Sequence, residues 1–593
     1  MSVRYQAVNW NPAKKRYDLV LVVAILAMVG GFTTVSLSRP HATLETALIR
    51  ALGTTAFALL TFILCIGPLA RLDHRFNALL YNRRHLGVTM ALLGLGHAIF
   101  ALLQYHGGGA VFPLTSLMQG APTTKFPAEF PFEWLGLAAL LILVVMAATS
   151  HDYWLSVLSP RAWKTLHMMV YVAFGLLVLH VALGELQSEG GTVADTWVLG
   201  SAVLVFGLHA VSGLREWRRD ALLAAQGNWV DAGAVGDIAE GRAIGAIVRG
   251  ERVAIFRHND RLSCVSGVCR HQNGPLAEGR IIDGCITCPW HGYQYLPENG
   301  TSPPPYDDRI ATYNLKIENG RVLVQESANA PGTRIEAIPV VSRDSRLTTR
   351  DSFYVGYLPA EPAIKSFLRT RVPALLLAGL GLTLILAFAQ KPPASSSYEY
   401  GIFRTYQGTL IERPYPMLVT TDSGETRTWL LAAELKRGAD SLAQGFDGQI
   451  VSAEGSLIQR GSHRMIEVRR VNTGSGQRQD LLRLSADPPV RLSITGEVVD
   501  SKCYLGAMNP GQGATHRLCA IRCLRGDLPP LLAGRDDRGS EVVALLTGPG
   551  GARADSSFLR LVGARVNVTG QLRKIGTLDV IEVLPDSIQR LSR

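Results

Sequence analysis

The sequence predicts a multidomain membrane protein with an all-α bundle of six helices, a separate all-β domain, a seventh transmembrane helix and an exported all-β tandem repeat. Three features of the 593-residue chain lead to this fold class: apolar runs of membrane-spanning length, one stretch in which cysteine and histidine alternate, and an internal repeat towards the C-terminus. A chain of this length is too long for one compact domain, so several cores are expected.

Seven apolar runs have the length that a helix needs to cross a bilayer. About 20 residues span the hydrocarbon of a membrane, and a buried helix of a soluble protein is the alternative for any single run. Six of the runs cluster in the first part of the chain, which favours a membrane bundle. The first run is long and no small-residue cleavage site follows it, so we expect it to remain as an anchor. The runs are 18–38, 51–70, 87–104, 132–149, 165–184, 195–213 and 373–389.

Basic residues are placed unevenly along the chain, whose formal net charge is +11. They cluster before the first run, between the second and third, before the fifth and after the sixth, whereas the loops near 105–131 and 185–194 contain only Lys125. Cytoplasmic loops carry the excess of lysine and arginine. We therefore expect a multi-pass protein of the inner (cytoplasmic) membrane, with the N-terminus and residues 214–372 in the cytoplasm and the C-terminal part periplasmic. Because topology explains these charges, a nucleic-acid partner is not expected.

One stretch of the sequence, CRHQNGPLAEGRIIDGCITCPWHG, alternates cysteine and histidine. Cys269-x-His271 is followed, after sixteen residues, by Cys288-x-x-His291. In a Rieske centre two thiolates hold one iron of a [2Fe–2S] cluster and two imidazoles hold the other, so each half of the motif gives one ligand to each iron. A zinc finger usually groups its cysteines together and its histidines together. The order therefore predicts a Rieske cluster bound by these four residues.

The surroundings of the motif agree with this interpretation. Residues 228–325 resemble the Rieske domain family, on the strength of Gly274-Pro275-Leu276, Pro289-Trp290 and the closing strands ATYNLKIENGRVLV. The resemblance implies an all-β Rieske domain.

Two departures from the respiratory members of that family refine the expectation. Those members usually carry a second cysteine pair as a disulfide beside the cluster, whereas Cys264 and Cys285 stand at other positions, where we expect small buried side chains. They also place a serine hydroxyl where this chain has Tyr293. Fewer hydrogen bonds to the cluster sulfurs predict a lower potential and hence a ferredoxin-like electron carrier.

Aromatic-ring oxygenases also contain such a cluster, but they need a mononuclear iron bound by two histidines and a carboxylate. Beyond His291 the chain has only His463 and His516, which are 53 residues apart. By the predicted topology both lie on the opposite side of the membrane from the cluster. An oxygenase role is therefore not expected.

Three histidines lie within predicted membrane helices. His97 stands in GLGHAIF, and His167 and His180 stand in WKTLHMMVYVAFGLLVLHVAL. Ionisable residues inside a span indicate function by default. A thirteen-residue spacing separates His167 from His180 by about 20 Å along a helix, which suits one redox centre near each leaflet. On a straight helix the two rings would lie far from one common face, so tilt, a kink or different partner helices are required.

Residues 18–215 resemble the ferric-reductase-like transmembrane family, especially the haem-binding membrane subunit of bacterial methionine sulfoxide reductase systems. The segments NRRHLGVTMALLGLGHAIFALLQY and SPRAWKTLHMMVYVAFGLLVLH carry the resemblance. It implies a six-helix haem-binding bundle in which His97, His167 and His180 bind one or two b-type haems, with His97 and His180 as the expected couple. His85 lies near the same membrane edge as His167 and could be its partner. Because His85 stands beside two arginines, it could instead be a polar residue of the membrane interface, so the partner of His167 stays open.

Ferric reductases and NADPH oxidases attach a flavin and nicotinamide domain after the membrane helices. Here the Rieske domain occupies that place, and the soluble regions of the sequence contain no Gly-rich phosphate loop between a strand and a helix. We therefore expect a separate cytoplasmic electron donor protein, of the ferredoxin or flavin reductase type.

The C-terminal part contains an internal repeat. FDGQIVSAEGSLIQRGSHRMIEV at 446–468 aligns without gaps with LVGARVNVTGQLRKIGTLDVIEV at 561–583. Alternating apolar residues interrupted by glycine turns indicate short strands. We expect two small β modules, OB-like in fold.

The second copy carries an insertion, SKCYLGAMNPGQGATHRLCAIRCLRGDLPP, with Cys503, His516, Cys519 and Cys523. Three thiolates and an imidazole suit zinc, copper or iron. In an oxidising compartment a disulfide with one spare thiol is the alternative, and inert cysteines are a third.

Together these features predict transmembrane electron transfer from the cytoplasmic reductant, through the [2Fe–2S] cluster and haem b, to an acceptor on the outer side, with the lipid bilayer as the surrounding partner. We expect an electron-transfer oxidoreductase, and no single catalytic residue is assigned. A membrane-anchored redox sensor or metal-handling protein, and a direct ferric or cupric ion reductase, are the alternatives. The predicted segments are a cytoplasmic N-terminus 1–17, the bundle 18–215, the Rieske domain 228–325, a linker 326–372, helix 373–389, and β modules 395–475 and 488–593.

Overall fold

The computed structural model describes most of the chain. The described residues are 12–80, 82–109, 111–119, 131–150, 154, 158, 160–184, 192–222, 228–271, 273–290, 292–304, 306–340, 362–391, 395–422, 425–475 and 488–591.

Every predicted apolar run forms helix, and the run at 165–184 is interrupted at Met169. The helices are α1 Pro12–Leu37, α2 Leu44–Leu72, α3 Asn77–Leu80, α4 Arg83–Ala101 with a π-turn at Leu102–His106, α5 Pro113–Gln119, α6 Phe132–Ala148, α7 Pro160–Met168, α8 Val170–Leu183, α9 Thr192–Leu222, α10 Pro362–Ala389, α11 Asp440–Ala443 and α12 Arg517–Arg525.

Among the described residues, six helical segments are long and apolar enough to cross a membrane by length and composition. The helix α6 is equally apolar but has only 17 residues. The chain is thus a multi-pass membrane protein, while seven spans remain a prediction.

The bundle interior is built from α2, α4, α6, α8 and α9, and Phe57 stacks on Phe174 within it at 5.7 Å between ring centroids. Large apolar side chains such as Leu92 and Leu179 face outwards, as expected for a surface that lipid covers. The helix α10 lies against α1, where Gly31 meets Leu384. The helix α10 therefore packs with the helices of the first part of the chain.

The segment after the bundle is all-β. Its strands are β1 Trp229–Ala234, β2 Ala243–Val248, β3 Glu251–His258, β4 Arg261–Ser266, β5 Arg280–Ile282, β6 Cys285–Thr287, β7 Gln294–Tyr295, β8 Thr312–Glu318, β9 Arg321–Ala328 and β10 Ile338–Pro339. One sheet has the order β1-β9-β8-β4-β3-β2, with β10 on β4, and a smaller sheet has the order β5-β6-β7. The cysteines Cys264 and Cys285, expected to be small buried side chains, are indeed buried in β4 and β6.

Two β modules follow α10. The first contains β11 Ser396–Tyr398, β12 Arg404–Ile411, β13 Met417–Asp422, β14 Glu425–Ala432, β15 Ile450–Arg460 and β16 His463–Thr473. The second is a closed barrel, ordered β17-β18-β19-β21-β20, of β17 Val490–Asp500, β18 Pro530–Asp536, β19 Glu541–Thr547, β20 Arg565–Ile575 and β21 Leu578–Arg590.

The modules share strand register as well as sequence. Leu430 pairs in parallel with Met465 in the first module, and Leu545 pairs in parallel with Val580 in the second. A Cβ at Gly455 would meet the Glu467 carbonyl at 2.3 Å, and a Cβ at the matching Gly570 would meet the Glu582 carbonyl at 2.5 Å. The repeated glycines therefore stand where two strands approach closely. An OB-like assignment remains a prediction.

The β modules and the Rieske-motif domain contact opposite ends of the bundle. At one end the Arg84 side chain, on the first turn of α4, reaches His271. At the other end, beyond the last turn of α4, the carbonyl of Tyr105 accepts from Lys436 in the first β module at 2.6 Å. The two soluble regions are thus separated by the length of α4.

This separation predicts that the two regions are labelled from opposite sides of a membrane. The variants Asn319→Cys, in the β8–β9 turn, and Arg538→Cys, in the β18–β19 turn, place thiols at exposed positions. Only one of them should react with a membrane-impermeant maleimide in intact spheroplasts, and both after permeabilisation. The unaltered chain, whose eight cysteines are buried, is the control. Labelling of both thiols from one side would contradict the arrangement.

Candidate functional site

Two loops of similar design hold the cysteines of the Rieske motif. After β4 the Cys269 amide donates to the Gly274 carbonyl at 2.9 Å, and after β6 the Cys288 amide donates to the Tyr293 carbonyl at 2.8 Å. The second loop turns at Gly292, which has a left-handed φ of 74°. A Cβ at Gly274 would lie 2.5 Å from the Cys288 Sγ, so the first loop closes on the sulfur of the second.

His271 is buried between the loops and the membrane bundle. Its ring stacks on Tyr293 at 5.3 Å, and the Arg84 guanidinium donates to its Nε2 at 2.7 Å. Burial, and then the Arg84 charge, lower the pKa of His271 well below its ordinary value, which favours the neutral imidazole that binds metals. With Nε2 directed to Arg84, Nδ1 is the ring atom suited to iron. The fourth motif residue, His291, lies outside the described residues.

Tyr295 contributes a hydroxyl that the sequence interpretation missed. Its oxygen lies 3.5 Å from the Cys269 Sγ and accepts from the Arg270 amide at 3.0 Å. By contrast, the Tyr293 hydroxyl donates to the Asp308 carboxylate. The protein therefore retains one hydroxyl contact to cluster sulfur, although the expected serine position holds Tyr293. The signal was a second tyrosine two residues further on.

His97 on α4 and His180 on α8 face each other inside the bundle. Their ring centroids are 6.4 Å apart and their planes are inclined by 86°. Each ring is oriented from behind, because the His97 Nδ1 lies 2.9 Å from the Ile49 carbonyl and the His180 Nδ1 lies 2.9 Å from the Phe132 carbonyl. A backbone acceptor at Nδ1 fixes the tautomer with Nε2 available as a metal ligand.

This pair fits a haem iron. Two imidazoles that bind one ion through Nε2 bonds of about 2 Å have ring centres about 6 Å apart, close to the observed separation. The neighbouring helices make room with glycine: a Cβ at Gly53 would lie 2.9 Å from the His97 ring, and a Cβ at Gly136 would lie 2.8 Å from the His180 ring. The donor set, its orientation and the space around it suit a bis-histidine haem.

His167 lies apart from that pair, on α7. Its Nδ1 contacts the Trp163 carbonyl at 3.0 Å, and its Nε2 is buried without a hydrogen-bond partner among the described residues. The helical hydrogen-bond pattern is interrupted at Met169, between His167 on α7 and His180 on α8. The two rings therefore have different surroundings. This arrangement agrees with their thirteen-residue spacing, which on a straight helix would not place them on one common face.

Two other histidines have partners of their own. The His209 Nδ1 contacts the Val205 carbonyl and its Nε2 contacts the Tyr171 hydroxyl, both at 2.8 Å, so both ring nitrogens are engaged. The His85 Nδ1 contacts Asp18 at 2.6 Å. The second ligand beside His167 stays open.

Trp163 connects the cluster loops with the membrane histidines. It is buried and stacks on His167 at 3.8 Å between centroids, with its other neighbour, His271, at 6.2 Å. Trp290, within the second cluster loop, packs against the bundle core. Sequence interpretation missed Trp163, whose signal was its position four residues before His167, one turn away on a helix.

The insertion in the second β module brings its four marked residues together. The ligand atoms of Cys503, His516 and Cys519 lie within 4.8 Å of one another, and Cys503 also lies 3.9 Å from Cys523, sulfur to sulfur. All four are buried. Asp500, which the sequence interpretation missed, contacts the His516 Nε2 at 2.8 Å.

The fold and these sites define a membrane electron-transfer protein. The family model for the Rieske [2Fe-2S] domain matches residues 228–314, and that for the ferric reductase like transmembrane component matches residues 52–178.

Individual relatives match the same two regions. The ferredoxin component of the alkene monooxygenase system of Xanthobacter autotrophicus is 33% identical over 97 residues, which are 16% of this chain and 80% of that protein. The heme-binding subunit MsrQ of the protein-methionine-sulfoxide reductase of Ralstonia nicotianae is 31% identical over 168 residues, 28% of this chain and 69% of that subunit. The chain therefore belongs to the ferric-reductase-like transmembrane family and carries a Rieske [2Fe–2S] domain.

Solved structures of ferredoxins are also similar to part of the chain. The ferredoxin of Sphingomonas yanoikuyae B1 aligns over all of its own chain and 17% of this one, with 22% identity. The TM-score of this alignment is 0.16.

Adding a methyl group behind either buried histidine should displace its ring. Gly53→Ala and Gly136→Ala overpack the His97 and His180 sites, a change that costs about 1–3 kcal/mol in a tight core. We expect less haem per chain and a weaker Soret band. Gly87→Ala and Gly175→Ala are matched controls, because a Cβ there meets no atom within 4 Å. Equal haem loss in the controls would contradict the proposed packing.

Removing the Tyr295 hydroxyl should lower the midpoint potential of the cluster. A hydrogen bond to sulfur stabilises the reduced, more negative state, and Tyr295→Phe removes it. Tyr293→Phe is the control because its hydroxyl serves Asp308. Redox titration followed by electron paramagnetic resonance measures both potentials. A shift in the control as large as that in Tyr295→Phe would refute a specific role for Tyr295.

Proposed function

We propose that this protein transfers electrons across the membrane, from a cytoplasmic reductant through the Rieske cluster and b-type haem to an acceptor on the outer side. The observation that carries the proposal is the run of aromatic rings His271, Trp163 and His167 across the boundary between the cluster loops and the bundle. A cluster ligand and a membrane histidine contact the same indole. When bound, the cluster and the haem take up and release single electrons.

The chain holds this ring series in place from several directions. The Trp163 Nε1 donates to the Thr149 carbonyl at 3.0 Å, which fixes the indole. Arg84 donates to His271 and its guanidinium lies 5.8 Å from the Trp163 ring centroid. Trp290, in the second cluster loop, packs against the apolar core of the bundle. Of these groups, Trp163 and His271 are buried, which shields the approach of the two rings from solvent.

The membrane histidines supply ligands at two depths. His167 lies beside Trp163, and His180 pairs with His97 beyond the break at Met169. Thirteen residues of helix correspond to about 20 Å, so the two positions divide the hydrocarbon into shorter steps. We propose the His97–His180 pair as the ligands of one haem b and His167 as a ligand of a second.

The remaining partners follow from topology. The basic loops support a Rieske end in the cytoplasm and β modules in the periplasm. The ferredoxin components among the relatives support a donor of protein nature, either a ferredoxin or a flavin reductase. The acceptor meets the outer side, where the β modules cover the bundle.

Reconstituted vesicles test this function directly. The purified chain is inserted into liposomes, reductant is supplied at the Rieske side and an impermeant acceptor at the other. We expect a Soret band and a stoichiometric iron–sulfur cluster. We also expect the acceptor to be reduced only when the reductant is supplied at the Rieske side and the acceptor at the opposite side. A preparation without haem would favour the redox sensor, and reduction of free ferric or cupric ions without a partner protein would favour the metal-ion reductase.

Replacing the bridging indole should slow electron transfer without removing the cofactors. Trp163→Ala removes the indole that lies between His271 and His167. Trp163→Phe keeps an aromatic ring there, so its rate of haem reduction should fall less. Stopped-flow absorbance records haem reduction after the cluster has been reduced. Trp217→Ala, at an exposed tryptophan of α9, is the control. An unchanged rate in Trp163→Ala, with intact spectra, would exclude this route.

A further inference from the structure

The insertion between β17 and β18 forms a second, separate cluster of metal-ligating side chains. Cys519 and Cys523 stand one turn apart on α12 and so point to one side of that helix. Cys503 faces them from the π-turn at Cys503–Ala507, with its sulfur 3.9 Å from that of Cys523. All three thiols are fully or almost fully buried. Three sulfur atoms thus converge from two different elements.

His516 completes the set and is oriented by Asp500. One carboxylate oxygen accepts from the Cys503 amide at 2.9 Å, and the other lies 2.8 Å from the His516 Nε2. The His516 Nδ1 is buried and has no hydrogen-bond partner among the described residues. A carboxylate on one ring nitrogen, with the other ring nitrogen left for an ion, is the usual arrangement of a metal-binding histidine.

The sulfur spacing favours an ion over a cross-link. In a tetrahedral site with metal–sulfur bonds of about 2.3 Å, the sulfur atoms are about 3.8 Å apart, whereas a disulfide brings them to about 2 Å. A disulfide would also leave the third thiol, the imidazole and Asp500 without a role. The shared position of all these groups is explained by one bound ion.

We propose that Cys503, Cys519, Cys523 and His516 bind one thiophilic metal ion, of the Cu(I) or Zn(II) class, with Asp500 positioning His516. Thiolates and imidazole select these ions, and the Met508 sulfur, 3.8 Å from the Cys519 Sγ, adds a further soft donor nearby. Four protein ligands in a buried site leave no open position for a substrate. Zinc, which has no redox chemistry, would therefore serve structure, whereas copper could also transfer electrons.

The place of the site in the fold gives it a second interest. Tyr105, at the end of the helix that carries His97, packs against the core that contains the three cysteines. Arg522, on the same helix as Cys519 and Cys523, reaches Gln119 of the bundle at 2.7 Å. The site therefore lies where electrons would leave the bundle, and this exit role, unlike metal binding itself, rests on the proposed function.

Metal analysis of the full-length chain tests the proposal. Copper and zinc are measured per chain by mass spectrometry in the detergent-purified protein, with iron measured separately. We expect one equivalent of copper or zinc, lost in Cys519→Ser and His516→Ala and retained in Cys65→Ser and Cys264→Ser, whose thiols are buried elsewhere. Asp500→Asn should weaken binding about 10- to 100-fold while the ligands remain.

A second measurement keeps the test decisive if a variant does not fold. The unaltered chain is stripped with a chelator and titrated with Co²⁺, and tetrahedral thiolate ligation should appear as visible d–d and charge-transfer bands. Absence of copper, zinc and cobalt binding, with a disulfide found by thiol titration in denaturant, would overturn the proposal. Metal binding without a Soret band would instead contradict only the proposed electron route.

Discussion

The contact between His271 of the Rieske motif and the bundle is the interaction on which the proposed function of this protein depends. His271 is held by Arg84 on one side and by Tyr293 on the other, and Trp163 bridges it to His167. Electron tunnelling weakens steeply with distance, so two redox domains in one chain are useful only if their ligands are brought close. Here charge, stacking and burial act on the same few side chains. The interface fixes the geometry between the two domains within one chain.

Much of this architecture could be predicted from sequence because the physical signals are local. Membrane helices follow from apolar length, and the Rieske domain follows from the order of Cys269, His271, Cys288 and His291. The family comparisons confirm the ferric-reductase-like and Rieske assignments. The internal repeat was visible because each copy needs glycine at the same close approaches between strands, such as Gly455 and Gly570.

Other features depend on contacts between distant segments and carry little signal in one sequence. Trp163 looks like an ordinary interfacial tryptophan until the Rieske loops are placed against it. Tyr295 becomes relevant only because β7 carries its hydroxyl to Cys269. Asp500 ends a strand as many aspartates do, and its meaning appears only when α12 brings His516 to it. The interruption at Met169 likewise has no signal in the apolar pattern, which runs through it.

The docking of the Rieske loops on the bundle limits how the proposed electron donor can approach the motif. Trp290 and the Nε2 edge of His271 are turned towards the bundle. While that contact lasts, the bundle covers this edge of the proposed cluster, and a soluble donor has no access to it there. The donor would have to bind another face of the Rieske domain, or bind while the domain is released from the bundle. Reduction of the cluster and electron transfer from the cluster to the bundle would then use different faces of the domain or occur at different times.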